Sequence, residues 1–359
     1  MKRSTKLIML LLGLALLFSC ERRPLLELEY THYVRVYLDE EIKNVTTGFY
    51  NQTHKKPEYK TPTVVRVTLS DPYTDKVVAE RYLQNPGSDE KGNYLDGYIS
   101  AAPGNYKLMA YNFGTESTIL RNENTYQQAE AYTNEISSYL YGNFNGKGRD
   151  EDEKIVYDPD HLFVDTHEDL TIGYKSEIDT LYNSNGEHFK AQSIVKTYYI
   201  QVEVEGAKYV SSAVALLTGM GGSSNLYSGQ NPNHVPVTIY FDMIKEGMES
   251  ELRTGTDPNS ENNTVKMYSS FGTFGKLEGE VSELEMSFDV ITTDGRKLSF
   301  RRDITEKFYE SDAINNQWII ITEKIVIPPP SPDDPGNTSG GGFKPSVNEW
   351  NKLETNLII

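Results

Sequence analysis

The chain has one cysteine, Cys20, among 359 residues, so it can form no internal disulfide and must draw its stability from apolar cores. Basic residues are also short. Against 52 Asp and Glu stand 35 Lys and Arg, a formal net charge of −17. A field of that sign repels phosphate backbones and anionic headgroups, which argues against nucleic-acid and membrane-surface binding by the folded part. No apolar run reaches the ~20 residues a membrane-spanning helix needs. No Gly-x-Ser-x-Gly elbow occurs, and the sole cysteine lies beside the N-terminal segment, so nucleophilic catalysis has no candidate. Gly219-Met220-Gly221-Gly222 lacks the Lys-Ser/Thr of a phosphate loop and follows a strand without opening a helix, so it is expected to be a strand-end turn. Asp150-Glu151-Asp152-Glu153 lacks the glycine and spacing of a calcium loop and suits a solvated face.

The N-terminus gives a positive signal. Lys2, Arg3 and Lys6 precede an apolar run from Leu7 to Phe18, and the segment closes on Leu17-Phe18-Ser19-Cys20. A charged start, a short apolar stretch and small residues at a cleavage point describe an export signal over residues 1–19. The Leu-x-Ser-Cys ending resembles the bacterial lipobox, in which the cysteine thiol is acylated. Lipidation of Cys20 also accounts for a lone thiol in an exported chain. Removing Lys2, Arg3 and Lys6 with the signal leaves a mature chain still more acidic than the precursor.

Beyond Cys20 the dominant pattern is alternation rather than helical periodicity. The 25 tyrosines suit half-buried sheet faces and lean the composition toward all-β. Val34, Val36 and Leu38 share one face of a strand, as do Val65, Val67 and Leu69 in the next, which ends at the turn Asp71-Pro72. Residues 76–83 return as a hairpin partner closed by Asn85-Pro86-Gly87, and Pro103-Gly104 turns into a strand over 105–112. One helix is expected: Thr125 can cap a segment in which Tyr126, Ala129, Thr133, Ile136 and Leu140 recur at three- or four-residue spacing. Strands resume at 155–157 and 161–164. Asn183 to Glu187 is the best boundary between an N-terminal domain (20–182) and a C-terminal one (188–327), because no apolar pattern crosses it.

The second half offers strands at 197–204, 213–218, 235–242, 267–274, 284–290 and 297–301, the last two joined by the hairpin signal Asp294-Gly295, and closes with strands over 317–327. Residues 328–342 are then Pro, Asp, Gly and Ser, a linker without core-forming side chains. Residues 343–359 follow as a terminal strand in which Leu353, Thr355, Leu357 and Ile359 alternate with polar residues after Trp350.

Few residues suggest a ligand. His161 and His167 with Asp160, Asp165, Glu168 and Asp169 form the densest set of metal-ligand types, and a strand would put His161 and Asp165 on one face. Their six-residue spacing matches no zinc motif, so no metal and no cofactor is expected. Asp179-Thr180-Leu181 resembles a short O-glycosylation sequon of Bacteroidales exported proteins, which marks Thr180. Exposed Tyr and Trp have the stacking faces that sugars need, although in strands they also form cross-strand pairs.

Several segments in order resemble the fimbrillin superfamily of Bacteroidales lipoproteins, in particular its anchor and tip-like members. Pro103-Gly104-Asn105-Tyr106 through Tyr111-Asn112 is similar to a turn-then-strand motif of their first domain, and Asp158-Pro159-Asp160-His161-Leu162-Phe163 to the segment closing it. Gly206 to Leu226, the strand pair around Asp294-Gly295, and Gly341-Gly342-Phe343-Lys344-Pro345 through Trp350 resemble later pieces, and Cys20-Glu21-Arg22-Arg23-Pro24 resembles the start of one branch. The resemblance implies an all-β fold of two tandem transthyretin-like (Greek-key) sandwich domains, outer-membrane attachment through lipid, and a non-enzymatic role in anchoring or assembling fimbriae. Polymerising members join by strand donation after an Arg-directed cleavage, for which no matching site is identified between the first strands here.

The expected function is therefore an outer-membrane lipoprotein that engages other fimbrillin-like subunits by β-strand addition through Trp350, Leu353, Thr355, Leu357 and Ile359. The terminal strand has two fates open to it, donation to a partner or folding back onto its own second domain. The alternative is a surface module that binds a host or glycan ligand.

Overall fold

The structure, a computed structural model, describes residues 30–39, 61–112, 115–137, 153–174, 178–232, 235–245, 264–277 and 283–330. Their regular structure is almost entirely extended. In the first half the strands are β1 (Thr31–Leu38), β2 (Val65–Ser70), β3 (Val77–Leu83), β4 (Asn85–Asp89), β5 (Gly92–Ser100), β6 (Gly104–Asn112), β7 (Thr118–Arg121), β8 (Glu130–Thr133), β9 (Lys154–Tyr157), β10 (Phe163–Ile172), β11 (Asp179–Thr180) and β12 (Phe189–Ser193). Nine of them form one continuous path, β3-β2-β6-β10-β12-β1-β5-β4, with β11 also on β1; β7, β8 and β9 lie in other sheets.

That path folds into two layers because β12 serves both. Phe189 to Ala191 run parallel to β1, while Gln192 and Ser193 pair antiparallel with β10. Alternation then places the inward faces against each other. Val34, Val36, Val65, Val67, Leu69, Leu83, Leu95, Ile99, Leu108, Phe163 and Phe189 form one buried cluster, each such side chain contributing about 1.5–3 kcal/mol by leaving water. At the other margin the Leu83 side chain fits against Gly97, where an added Cβ would stand 3.0 Å from Leu83 Cδ2.

The second half has β13 (Lys196–Glu205), β14 (Val210–Gly221), β15 (Ser223–Asn225), β16 (Pro236–Asp242), β17 (Ile244–Lys245), β18 (Thr264–Thr273), β19 (Glu285–Thr292), β20 (Lys297–Asp303) and β21 (Trp318–Val326). Sheets β17-β18-β13-β21 and β20-β19-β14-β16-β9 share a single core that includes Ile200, Val202, Leu217, Ile239, Phe271, Phe288, Ile319 and Ile321. The Asp294-Gly295 hairpin forms between β19 and β20, with Gly295 at φ 83°.

The halves are laced together. β9, from the first half, adds in parallel to β16, and β15, from the second, pairs with β8 in a small sheet β15-β8-β7. A third core joins the outer faces of β6 and β10 (Met109, Tyr111, Val164) to Tyr126, Ala131, Val195 and Leu226. The sheets change over between Ser193 and Lys196, so the turn at Asn183–Glu187 is a connection within the first sandwich.

Three local expectations are corrected. The helix expected from Thr125 onward is absent: Glu130–Thr133 is β8, and Glu135 bridges to Val156. Tertiary partners take its backbone groups, with Tyr126 N–H donating to Asp75 O (2.8 Å) and Ile136 N–H to Ile155 O (2.9 Å). Thr125 Oγ1 donates back to Asn122 O instead of capping forward. Tyr126, Ala129, Thr133 and Ile136 are buried as expected, but by turns and a strand; Leu140 lies outside the described residues. The one α-helix among the described residues is α1 (Ser311–Asn316). Asn85-Pro86-Gly87 is not a closing turn but part of β4, an edge strand, where a proline without N–H is tolerated. The Gly219 run does close β14, at Gly221, but as a bulge rather than a turn: the register shifts between Leu217 and Met220, with Gly219 at φ 78°.

Candidate functional site

Most residues expected to act lie outside the described residues: Cys20, and Trp350, Leu353, Thr355, Leu357 and Ile359. The described fold fixes where the segments bearing them attach. The chain enters at Tyr30, whose carbonyl accepts from Ala101 N–H at 2.9 Å. It leaves after Ile327, whose N–H donates to Glu205 O at 2.8 Å, and Arg296 Nη2 then donates to Pro328 O at 2.9 Å. Thr180 is half-buried in β11 beside Tyr33, and its N–H donates to Asp179 Oδ1 at 3.0 Å.

Strand addition needs an open edge with free main-chain groups. Among the described residues several sheet margins are poor acceptors. β4 carries Pro86, β20 is lined by Lys297, Arg301, Arg302 and Asp303, β17 has two residues, and β9 is met by the bridge at Glu135. β3 and β21 are the long margins, with seven and nine residues. Beside β3 runs an open groove of about 570 Å³ lined by Lys76 to Glu80, Asn124 and Thr125. Its start is closed by Val77 N–H donating to Asn124 O at 3.0 Å.

A buried cation holds this margin. Arg66, 8% exposed on β2, is ion-paired with Glu80 of β3 and with Glu123, and its Nη1 donates to Tyr111 Oη at 2.8 Å. Burial, and then the hydrogen bond to Glu123, push the Tyr111 hydroxyl far above its ordinary range. The guanidinium therefore ties three segments together beneath the groove, where losing one partner would strand a buried charge.

The outer face of β1 and β5 carries a second constellation. Tyr33, Arg35 and Tyr37 stand beside Tyr98, Asp96 and Tyr94. Arg35 lies 3.8 Å from the centre of the Tyr94 ring, Tyr37 Oη donates to Asp89 at 2.7 Å, and Tyr33 Oη donates to Asp96 at 2.5 Å. The ring of Tyr33 meets Tyr98 edge-on at 5.6 Å, and Tyr37 neighbours His188, which stacks obliquely with Tyr182. Tyr98 and Tyr182 are exposed.

The acidic-histidine set is dispersed rather than assembled. Asp165 meets His167 at 3.0 Å and accepts from Lys190 N–H, whereas His161 precedes β10 and sits half-buried 3.3 Å from Thr197 Oγ1. Asp160 Oδ2 accepts from the backbone N–H and hydroxyl of Ser117 and from Thr118 N–H. No metal-binding group of three or more such side chains occurs among the described residues. Two acids are structural, and for one of them, Glu153, this corrects the expected solvated face. Glu153 Oε1 accepts from Gly219 N–H (3.0 Å) and Thr238 Oγ1 (3.1 Å), holding the β14 bulge. Asp158 accepts from Gly272 N–H at 3.2 Å, and burial pushes its carboxyl up to about 6. Neither had a sequence signal, because the partner in each case is more than sixty residues away.

A domain-of-unknown-function family (DUF5119) matches residues 80–242, a span that crosses from the first sandwich into the second. The chain is 28% identical over 259 residues to a Bacteroides ovatus protein named "Putative fimbrium anchoring subunit Fim4B", covering 69% of this chain and 67% of that one. A solved structure described as a "putative adhesin" from Bacteroides ovatus superposes with a TM-score of 0.52 at 24% identity, over 87% of this chain and 98% of that one. In sequence the chain is similar to a fimbrium-anchoring relative, and in fold to an adhesin. The fimbrial anchor protein Mfa2 of Porphyromonas gingivalis also aligns, with 14% identity, a TM-score of 0.43, and coverage of 82% and 90%. The fold is all-β in several sheets, as the alternation predicted.

Proposed function

We propose that this chain is a non-enzymatic outer-membrane lipoprotein, acylated on Cys20, that acts as a fimbrial anchor, assembly or adhesion subunit and engages fimbrillin-like partners by β-strand addition. The observation that carries the reading is the similarity to the fimbrium-anchoring relative along 69% of the chain. The long margins β3 and β21 support it physically, since each offers a ladder of main-chain groups to an incoming strand. In this reading the two sandwiches are two domains, residues 328–342 are a flexible arm, and Trp350, Leu353, Thr355, Leu357 and Ile359 are the side chains it presents. Thr180 is a glycosylation position.

Deleting residues 343–359 tests the donation. The truncated protein is expected to keep its thermal transition and remain monomeric while losing co-purification with fimbrillin-like subunits. If truncation unfolds the second sandwich, the strand belongs to its own chain and donation is excluded.

The tyrosine face of β1 and β5 favours a second reading, surface glycan binding, because Tyr98 and Tyr182 expose ring faces beside Arg35 and His188. Mature protein applied to a glycan array should give signals that fall at least roughly tenfold in Y98A/Y182A if this holds. An array without binding leaves assembly as the function.

A further inference from the structure

The large apolar or aromatic side chains that protrude furthest from the described part of the first sandwich are Tyr73 (93% exposed), Tyr174 (84%) and Ile178 (65%). Far apart in sequence, all three are brought by the topology to one end. The register fixes this. Thr31 pairs with Ser100 and His32 with Asp179, so Tyr30, residues 100–103 and Ile178 share an end. Ile172 pairs with Gly104, which puts Tyr174 at the same end, and its ring meets that of Tyr30 at 6.3 Å. Ser70 pairs with Lys107 near the start of β6, so the β2–β3 turn carrying Tyr73 projects there too. That turn is held rigid, with Asp71 Oδ1 accepting from Tyr73 N–H, Thr74 N–H and Thr74 Oγ1. Ala101, Ala102 and Pro103 lie at the same end, together with the Asp71 carboxylate that holds the turn.

The chain from Cys20 enters the fold at this end. Nine residues separate Cys20 from Tyr30, so the two are at most ~35 Å apart along fully extended chain. A tether that short keeps the end close to whatever holds Cys20, so even a weak contact is strongly populated by its effective concentration. Tyrosine, with an apolar body and a polar tip, is the side chain that settles at the headgroup level of a bilayer. The negative net charge argues against electrostatic attraction to anionic lipid. It does not oppose seating aromatic rings among neutral headgroups, and near this end Asp75 is neutralised by Lys107 at 2.6 Å.

We propose that this end of the first sandwich docks on the bilayer surface, with Tyr73, Tyr174 and Ile178 seated at the headgroup level of neutral phospholipid. The inference rests on the acylation of Cys20 proposed above. It sets an orientation. The chain leaves the first sandwich at the opposite end, between Ser193 and Lys196, so docking points β21 and the C-terminal arm away from the membrane.

The test uses full-length protein exported and acylated through its own signal, reconstituted into phosphatidylcholine vesicles with and without brominated acyl chains. Y73W, Y174W and, on the exposed surface of the second half, Y309W are compared with the unaltered protein, and urea transitions confirm that each variant folds. Added emission from Y73W and Y174W is expected to be quenched by brominated lipid at least roughly twofold more than that from Y309W. Equal quenching at all three positions in protein that floats with the vesicles overturns the docking and leaves the anchor intact. Protein that does not float overturns the anchor and the docking together.

Discussion

Asp158 is an acid that the fold makes costly to ionise. Desolvation is the main cause of its raised pKa, with Asp160 and Asp242 adding to it and the Gly272 N–H opposing. A carboxyl whose folded pKa is about 6 instead of the ordinary 3.8 binds its proton more tightly when folded. Its favourable contribution is therefore complete below the unfolded value and is lost as pH rises through about 6. Urea denaturation should show the protein gaining about 1 kcal/mol relative to D158N between pH 7 and pH 5, with D158N the more stable protein at pH 7. A pH dependence unchanged in D158N would place the titrating group elsewhere. Asp71, Asp89 and Asp303 are held below their ordinary range by hydrogen bonds, so their loss begins at more acid pH, outside this window. None of this was legible in the sequence. Asp158-Pro159-Asp160 reads as a loop, and its burial depends on β18 arriving from the other half.

Among the elements, strands with clean alternation were readable because apolar side chains on one face enter a core while the other face is polar. β1 and β2 keep their expected inward residues, although the polar face of β2 is buried as well. Where several surfaces compete, the pattern misled. In residues 125–137, Tyr126 and Ala129 face the third core while Ile136 joins Ile155 and Leu216 elsewhere, and three-residue turns imitate helical spacing. The glycines of β14 likewise looked like punctuation, yet Gly221 N–H donates to Gly275 O at 2.8 Å inside the strand. Gly272 of β18 is a sharper case. An added Cβ there would lie 2.3 Å from Pro159 O and 3.1 Å from Val195 Cγ1, so backbone must move to admit it. G272A is expected to lose about 2 kcal/mol in urea denaturation and to speed amide exchange around residues 158–161. G173A, with nothing within 4 Å of its added Cβ, should stay within about 0.5 kcal/mol of the parent. If both variants match the parent, the contact between β18 and the 158–161 segment does not limit stability.

For the whole molecule, the consequence is a layout with its two attachments apart. The chain arrives at one end of the first sandwich, and it departs from β13's neighbour β21 in the second. A shared core and strand exchange join the halves, as the proposed role between a membrane and a partner would require. The 343–359 deletion bears on this scale as well, since only a strand not needed for its own fold is free to be donated. The candidate site was only partly open to the sequence: composition marks 328–342 and 343–359 as a proposed linker and strand that lie almost wholly outside the described residues, whereas the acceptor margins have no sequence signal, because an edge is defined by which neighbour is missing.

Sequence alone determined the lone thiol at Cys20, the all-β class and the inward face of most strands. These follow from local chemistry, namely charge, side-chain polarity and period-two alternation. Only the tertiary structure decided that β9 joins β16, that β15 joins β8, and that Tyr73, Tyr174 and Ile178 meet at one end. Alternation says which side of a strand is buried and is silent about its neighbours. Main-chain hydrogen bonds carry no sequence label, so partner choice across eighty residues is settled by the packing of the whole.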